Sequence, residues 1–563
     1  MASTYDAKAT DPALLERSSQ IRSYTTSHAT YPGLRVFYRR HQQADRLPKS
    51  PAAIPLLVFI HGLGGSIAQF HPLLSSLTPT ASCLAVDLPG CGVSEFAPQD
   101  WAAYSTDALV ELLEVVIQDH RKVADNQGVV LIGHSMGASL AALLAKPRIP
   151  PKTQLSKHVV GLVGICPSAD PPTYEQTKLF RTLLWIPGFV FDLWRSWDRR
   201  GGPESASVLR FVGADADDEA KRLQDLYNNQ SKTPVWRRMA WGALPRYRNG
   251  VPEGGMPTKE TWAKLDIPVF LVGGVGDNVT PPKAPSAAAA AAESPDSAND
   301  PATPPEDPQQ PVEIPPLDIR PKKVVEHVIL PRPATHALLY TPATTRVLAG
   351  LVSDFLVNHV TGRLALGWQL RFLSRDGKWD VKNLEKWQKV APVSDPIGGV
   401  FRAMKTLREV DEKHNPRAFV KDWGKVIKDI IDISHDNPVY DPQGLERGGT
   451  RYHKFPTVSK VPPTDAEIAG FIALVDKIRA DQEKRAKLEG DWEEGYAVGV
   501  HCHYGFNRTG FFIVCYLVER CGYKVRDALE HFAQARPPSG IKHAHFSDRL
   551  YVRYSGLKEV GGR

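Results

Sequence analysis

The chain has 563 residues, with 69 Lys and Arg against 62 Asp and Glu, and with 42% hydrophobic and 23% charged residues. At roughly 100 to 200 residues per domain this length holds two to four domains and excludes a single small module, while the ordinary composition excludes wholesale disorder and a fibrous repeat. All of the net charge of +7 falls from Thr361 onward, where 34 basic residues face 27 acidic ones, an excess that attracts anionic substrates but is far from a dedicated nucleic-acid binder.

Taken in chain order, residues 1–24 read as a flexible tail without the charged start, apolar core and cleavage site of a signal peptide. Residues 25–360 then alternate short apolar runs (LLVFI, CLAVD, VVLIG, VVGLVGIC) with amphipathic stretches, which predicts an α/β domain with a mostly parallel sheet covered on both faces. Residues 168–265 interrupt this pattern as a helical cap, whose Trp185, Phe189, Phe191, Trp194, Trp197, Trp236 and Trp241 suggest an apolar acyl pocket. Strands resume at 267–274 and 327–331, and between them residues 281–316, with 11 prolines and 9 alanines in 36 positions, are predicted to be a disordered insertion. A linker over 361–392 leads to a smaller α/β domain, 393–563, with strands at 429–434 and 497–501 and helices at 465–487, 509–520 and 525–536.

No apolar run reaches the ~20 residues of a spanning helix, so no membrane insertion is expected. Six cysteines in this length are too few for a disulfide scaffold. A cytoplasmic or nuclear setting follows as the expectation, with thiols available for chemistry. No motif calls for a cofactor or a metal, and no protein partner can be deduced.

Gly133-His134-Ser135-Met136-Gly137 lies between an apolar strand pattern and a helical stretch, the context in which a serine hydroxyl projects alone from a sharp turn. His61-Gly62-Leu63-Gly64-Gly65 follows the strand LLVFI upstream. Together these motifs resemble the α/β-hydrolase family over roughly residues 25–360. The resemblance implies Ser135 as nucleophile, Asp277 (in GGVGDNVTPP) as acid, His336 (in PATHALLY) as base, and the amides of Leu63 and Met136 as the oxyanion hole. Serine at the nucleophile position points to ester, thioester or amide cleavage through an acyl-enzyme, on a small apolar acyl substrate. A scaffold without catalysis on the same fold stays open.

Residues 500–510 read Val-His-Cys-His-Tyr-Gly-Phe-Asn-Arg-Thr-Gly between a strand and a helix. Cys502 and Arg508, with five residues between them, form a cysteine-phosphatase loop: His503, Tyr504, Gly505, Phe506, Asn507, Arg508 and Thr509 wrap one phosphate at a helix N-terminus. The same field makes Cys502 a thiolate, Arg508 grips two oxygens, and Thr509 assists the sulfur as leaving group. His501 steadies the loop. AMKTL, IIDIS, VYDPQGLERGGTRYHKFP, DAEIAGFIALVDK and ALEHFAQARPPSGIK extend the match. From about Val393 to Tyr554 the chain resembles the metal-independent RNA 5′-triphosphatase branch of the dual-specificity phosphatases, the branch of metazoan mRNA capping enzymes. It departs from that branch at Val458-Ser459-Lys460 and at His503-Tyr504, and no guanylyltransferase motif follows in this sequence, so a capping-enzyme role is not expected.

A protein phosphatase needs an acid to protonate a leaving oxygen of pKa about 10. Asp465 is the candidate in sequence, although it sits where a helix cap or first turn favours Asp. Asp441, in VYDPQ, matches the triphosphatase-branch position and assists release or steadies the loop. The expectation is therefore a bifunctional hydrolase. Its phosphatase half acts on phosphorylated protein as a dual-specificity enzyme or, alternatively, on triphosphate-ended RNA or nucleotides.

Overall fold

The computed structural model describes residues 11–147, 155–280, 283–292, 314–374, 380–434, 439–490, 492–493, 495–538 and 540–555. The chain divides into two compact units, one ending at Ala365 and the other starting at Leu366.

The first unit is built on β1 (Ser19–Thr25), β2 (Thr30–Arg39), β3 (Leu56–Ile60), β4 (Cys83–Val86), β5 (Val129–His134) and β6 (Val159–Ile165), continued after a small hairpin, β7 (Arg246–Arg248) and β8 (Val251–Glu253), by β9 (Val269–Gly274) and β10 (Val325–Leu330). The main strands form one eight-stranded sheet in the order β1-β2-β4-β3-β5-β6-β9-β10, parallel from β4 to β10. Strands β3, β5, β6 and β9 are buried along their whole length, as a parallel sheet covered on both faces requires. Alternate residues serve two cores: Leu56, Val58 and Ile60 face one, Leu57 and Phe59 the other. Each such side chain contributes about 1.5–3 kcal/mol by burial. Helices from Tyr174–Leu184 to Thr233–Ala243 form the cap between β6 and β9.

Three sequence expectations are corrected. The tail is ordered from Asp11: Asp11 pairs with buried Arg35 at 2.6 Å, Leu15 is buried, and β1 pairs antiparallel with β2. Its sequence SQIRSYT hides a strand because, at the sheet edge, only Tyr24 is buried. Within the stretch expected to be disordered, Ala284–Ala292 is a helix that packs Ala288, Ala289 and Ala292 into the core. Alanine has the highest helix propensity and fits close to a sheet. The tail residues 1–10 and the insertion residues 281–282 and 293–313 lie outside the described residues.

The described residues of the expected linker, 361–374 and 380–392, pack into the two units, and 375–379 lie outside the described residues. Arg363 is buried and donates to the Pro315 carbonyl at 3.0 Å. Trp387 is buried in the second unit, its indole donating to the Thr406 carbonyl at 3.1 Å under the Lys405 ammonium. An aromatic side chain of this size buries too much surface to stay in a free linker.

The second unit carries a four-stranded, wholly parallel sheet of β11 (Phe401–Met404), β12 (Ile427–Asp432), β13 (Arg451–Lys454) and β14 (Ala497–His501), in the order β11-β14-β12-β13. The central strand β14 runs straight into residues 502–506 and then the helix Asn507–Cys521. Phe401, Phe471 and Phe512 pack behind it. Among the described residues no helix is long and apolar enough to cross a membrane.

Candidate active sites

In the first unit the sheet delivers each candidate residue to its carboxyl edge: Ser135 follows β5, Asp277 follows β9, His336 follows β10. Ser135 has φ 55° and ψ −121°, a region unfavourable for a side chain. It is held there by its own N–H bonding to the Ile165 carbonyl at 2.8 Å and by Ala138 N–H bonding back to the Ser135 carbonyl at 3.0 Å. The turn has no room for side chains on either flank. A Cβ on Gly133 would lie 2.4 Å from the Ala138 nitrogen, and one on Gly137 2.0 Å from the Ile60 oxygen.

His336 Nδ1 donates to Asp277 Oδ2 at 2.9 Å, which places the ring proton on Nδ1 and leaves Nε2 unprotonated in the neutral ring. Burial raises the Asp277 carboxyl, but the His336 hydrogen bond and charge, with the N–H groups of Thr280 and Val279, outweigh it and hold the group below its ordinary value. The histidine is tied to the elbow through His134, whose Nε2 donates to the His336 carbonyl at 3.0 Å. Burial, then the His336 charge, push His134 down to about 3, so it stays neutral. On the other side, His61 accepts from Leu88 N–H at 2.9 Å and donates to the Gly62 carbonyl at 2.8 Å, fixing the loop that carries Leu63.

His134, Cys166 and His336 place ligand-type atoms within 4.8 Å of one another. Burial and the Asp277 charge push the Cys166 thiol well above its ordinary value, and His336 is committed to Asp277. A neutral thiol and an engaged imidazole make poor ligands, and the set is packing around the base.

Ser135, Leu63 and Met136 open onto an apolar cavity of about 750 Å³. Of the cap aromatics expected there, Phe191, Trp194 and Trp236 form its wall. Trp185, Phe189 and Trp197 point outward, and Trp241 packs edge-on against Trp101. Helix faces, not composition, decide which ring lines the cavity.

In the second unit Cys502 lies on the loop after β14 and Arg508 in the first turn of the helix Asn507–Cys521, both buried. Burial raises the Cys502 thiol, but the Arg508 charge, the Thr509 hydroxyl and the N–H groups of Gly505 and Thr509 hold it below its ordinary value. Among the described residues the Thr509 hydroxyl is buried without a hydrogen-bond partner, beside the sulfur whose charge it favours. Arg508 is aimed by the Ile433 carbonyl at 3.0 Å and by the Thr457 carbonyl and hydroxyl at 3.1 Å. Gly505 has φ 74°, and a Cβ there would lie 2.2 Å from the Met404 oxygen. Side chains of the remaining loop residues are tied back: His503 and Tyr504 both donate to the Lys382 carbonyl, and Asn507 accepts from the N–H groups of Lys542 and His543. Phe506 caps the helix beneath the Lys542 ammonium, 4.0 Å above its ring.

His501 is buried; its Nδ1 donates to the Cys502 carbonyl at 3.1 Å and its Nε2 accepts from the Tyr440 hydroxyl at 2.8 Å. Burial lowers its pKa, so it is a neutral brace. Arg536 was not legible as a functional residue. It is fully buried and grips the loop backbone from behind, donating to the carbonyls of Tyr504 at 2.9 Å and Gly505 at 3.3 Å. Its only signal in the sequence was its place in the matching stretch ALEHFAQARPPSGIK.

Asp465 stands in the first turn of the helix Asp465–Glu489, next to the Thr464–Glu467 capping box, and is bridged by Arg553 at 2.6 Å and Arg549 at 3.6 Å. Asp441 accepts from the N–H groups of Gly367 at 3.2 Å and Gln443 at 3.0 Å. Its neighbour Glu409, raised to about 7 first by burial and then by the Asp441 charge, accepts from Asp441 N–H at 2.8 Å.

A donor to the thiolate stabilises the charged form, so Thr509→Ala raises the Cys502 pKa. The pH midpoint for alkylation of Cys502 by iodoacetamide is expected to move upward in that variant. An unmoved midpoint would show that the hydroxyl does not act on the sulfur.

The family model described as Alpha/beta hydrolase family matches residues 57–345. The chain belongs to that family. A second model, the catalytic domain of dual specificity phosphatases, matches residues 475–555 within the second unit. The chain is 32% identical over 207 residues to an abhydrolase domain-containing protein of Schizosaccharomyces pombe, covering 34% of this chain and 55% of that one. It is 28% identical over 187 residues to the mRNA-capping enzyme of Mus musculus, covering 31% of this chain and 29% of that one. A tyrosine-protein phosphatase of Autographa californica nuclear polyhedrosis virus is 31% identical over 107 residues, 19% of this chain and 57% of that one. The chain thus spans between 29% and 57% of the length of these relatives. It joins an α/β-hydrolase domain to a dual specificity phosphatase domain, with relatives named mRNA-capping enzyme and tyrosine-protein phosphatase.

Proposed function

We propose that this chain is a two-site hydrolase: its second unit removes the terminal phosphate from triphosphate-ended RNA, and its first cleaves an apolar acyl ester. The observation that carries the RNA reading is the state of Asp465. Its carboxylate, at the start of a helix, is engaged by Arg553 at 2.6 Å and Arg549 at 3.6 Å instead of being left free to face a leaving group. A phosphoanhydride leaving group ionises at about 6 and needs little protonation, whereas a tyrosine or serine oxygen needs much. Lys542 beside Phe506 and Lys386 over the Tyr504 ring add cations around the loop for the remaining phosphates. The named capping-enzyme relatives agree with this.

In the proposed reaction the Cys502 thiolate attacks the terminal phosphorus, diphosphate-ended RNA departs, and a phosphocysteine forms. Water then attacks that phosphorus, releasing inorganic phosphate and restoring the thiolate. Arg508 and the loop N–H groups hold the three equatorial oxygens through both steps. In the first unit Ser135 attacks the ester carbonyl as His336 takes its proton. The Leu63 and Met136 amides receive the oxyanion, the ester C–O bond breaks as His336 gives that proton to the departing alcohol, and water, activated by His336, then hydrolyses the acyl-enzyme to the free acid and Ser135.

Phosphate release from triphosphate-ended RNA and from a phosphotyrosine peptide, measured side by side, tests the choice. Preference for RNA of at least about tenfold is expected, with Asp465→Asn changing the RNA rate by less than about threefold. Preference for the peptide, with a loss of about 100-fold or more in Asp465→Asn, would return the protein-phosphatase reading and make Asp465 the general acid.

A further inference from the structure

The cavity over Ser135 is walled by one face from each of three cap helices. On Thr233–Ala243 that face is Trp236, Ala240 and Ala243, spaced four and three apart, and on Tyr174–Leu184 it includes Phe180 and Leu184, four apart. Gly188–Asp198 adds Phe191. Because Ala240 and Ala243 each carry a single methyl group, the helix Thr233–Ala243 leaves space that a larger side chain would fill.

Most of the hydroxyl, amide and carboxyl side chains on the wall are already engaged. Ser168 donates to the Asp170 carbonyl at 3.0 Å, Asp170 pairs with Lys259 at 3.1 Å, and Gln176 accepts from Thr173 N–H at 3.0 Å. The others are Ser135 itself and Thr280, which adjoins the triad through its N–H on Asp277 Oδ1 at 2.8 Å. A peptide or a sugar lying here would leave N–H, C=O or hydroxyl groups without partners, a cost that a hydrocarbon chain does not incur. The cavity meets Leu63, Ser135 and Met136 but is not lined by His336. A departing alcohol takes its proton from His336 and leaves on that side, so the acyl portion of an ester is the part that occupies the cavity.

Volume then separates long acyl groups from short ones. At about 30 Å³ for a unit the size of a methylene, a palmitoyl chain fills roughly 480 Å³ of the 750 Å³ available. A butyryl chain fills roughly 120 Å³ and leaves most of the apolar wall against water. We infer that the first unit takes long-chain fatty acyl esters and that Ala240 and Ala243 set the chain length it accepts. This deepens the ester-hydrolase reading and rests on it, and the experiment tells the two apart.

The full chain is given p-nitrophenyl esters of acetate, butyrate, octanoate, laurate and palmitate below their aggregation concentrations. The kcat/KM is expected to rise with chain length and to be at least about tenfold higher for laurate or palmitate than for butyrate. Ala240→Phe sets a ring across the cavity and should lower the palmitate-to-butyrate ratio at least about tenfold, with Ala243→Leu, a smaller filling, moving it in the same direction. Free palmitate should protect wild-type Ser135 from a fluorophosphonate probe at a concentration at least about tenfold lower than butyrate does, a readout that needs neither turnover nor a variant. Best turnover on acetate or butyrate, an unchanged ratio in both variants, or equal protection by the two acids would each overturn the inference while leaving Ser135 a working nucleophile. So would a higher kcat/KM on the ester of a bulky polycyclic acid, which would give the space to a rigid ligand. A wild type that neither labels nor hydrolyses any ester would instead remove the ester reading beneath it.

Discussion

Cys502→Ser is expected to lower phosphate release from triphosphate-ended RNA at least about a thousandfold, about 4 kcal/mol of barrier, and to leave ester hydrolysis by the first unit unchanged. The loop around residue 502 is set to stabilise a charged sulfur: the Arg508 charge, the Thr509 hydroxyl and two backbone N–H groups outweigh the cost of burial. A serine hydroxyl in the same place remains protonated and attacks slowly. Arg508→Lys should also cost about 100-fold or more, because a point charge cannot grip two oxygens as the guanidinium fork does. Phosphate release within about tenfold of wild type in Cys502→Ser would mean that the loop holds phosphate while another group performs the chemistry.

Ser135→Ala is expected to abolish both labelling by a fluorophosphonate probe and hydrolysis of apolar esters, leaving phosphate release intact. Asp277→Asn should cost on the order of 10³ to 10⁴-fold in ester turnover. The carboxylate receives the Nδ1 proton of His336 at 2.9 Å, which leaves Nε2 bare to take the serine proton. An amide at that position can present its NH₂ to Nδ1 and favour the wrong tautomer. The Asp277 carboxyl is held below its ordinary value, so this support persists at neutral pH and is lost only as pH falls through that lowered value. Retained labelling in Ser135→Ala would assign the reactive serine elsewhere. Unlabelled wild type would leave the first unit as a scaffold.

Much of both candidate sites was legible because their chemistry is short-range. The elbow at Ser135 needs small residues on both sides of one turn, and Gly133 and Gly137 leave no space for anything else. The phosphatase loop needs a cysteine, an arginine and a tight wrap at a helix start, all within Cys502–Gly510. Strands such as Leu56–Ile60 and Val129–His134 were legible because a parallel sheet buried on both faces leaves unbroken apolar runs. The edge strand Ser19–Thr25 was not, because it buries one residue and reads as polar.

The two folds, their order along the chain and the residue types at each candidate nucleophile are written in short-range pattern, because backbone geometry over a few neighbouring positions dictates them. What surrounds those residues comes from long-range packing. Arg536 reaches the loop carbonyls of Tyr504 and Gly505, Tyr440 donates to Nε2 of His501, and Trp387 packs the end of the expected linker into the second unit. Asp465 is occupied by arginines some 84 and 88 positions away. The outward turn of Trp185, Phe189 and Trp197, against the inward turn of Phe191 and Trp194, depends on which face of one helix packs on the cap. Such contacts join residues far apart in the chain, and local pattern carries no information about which distant side chain will meet them.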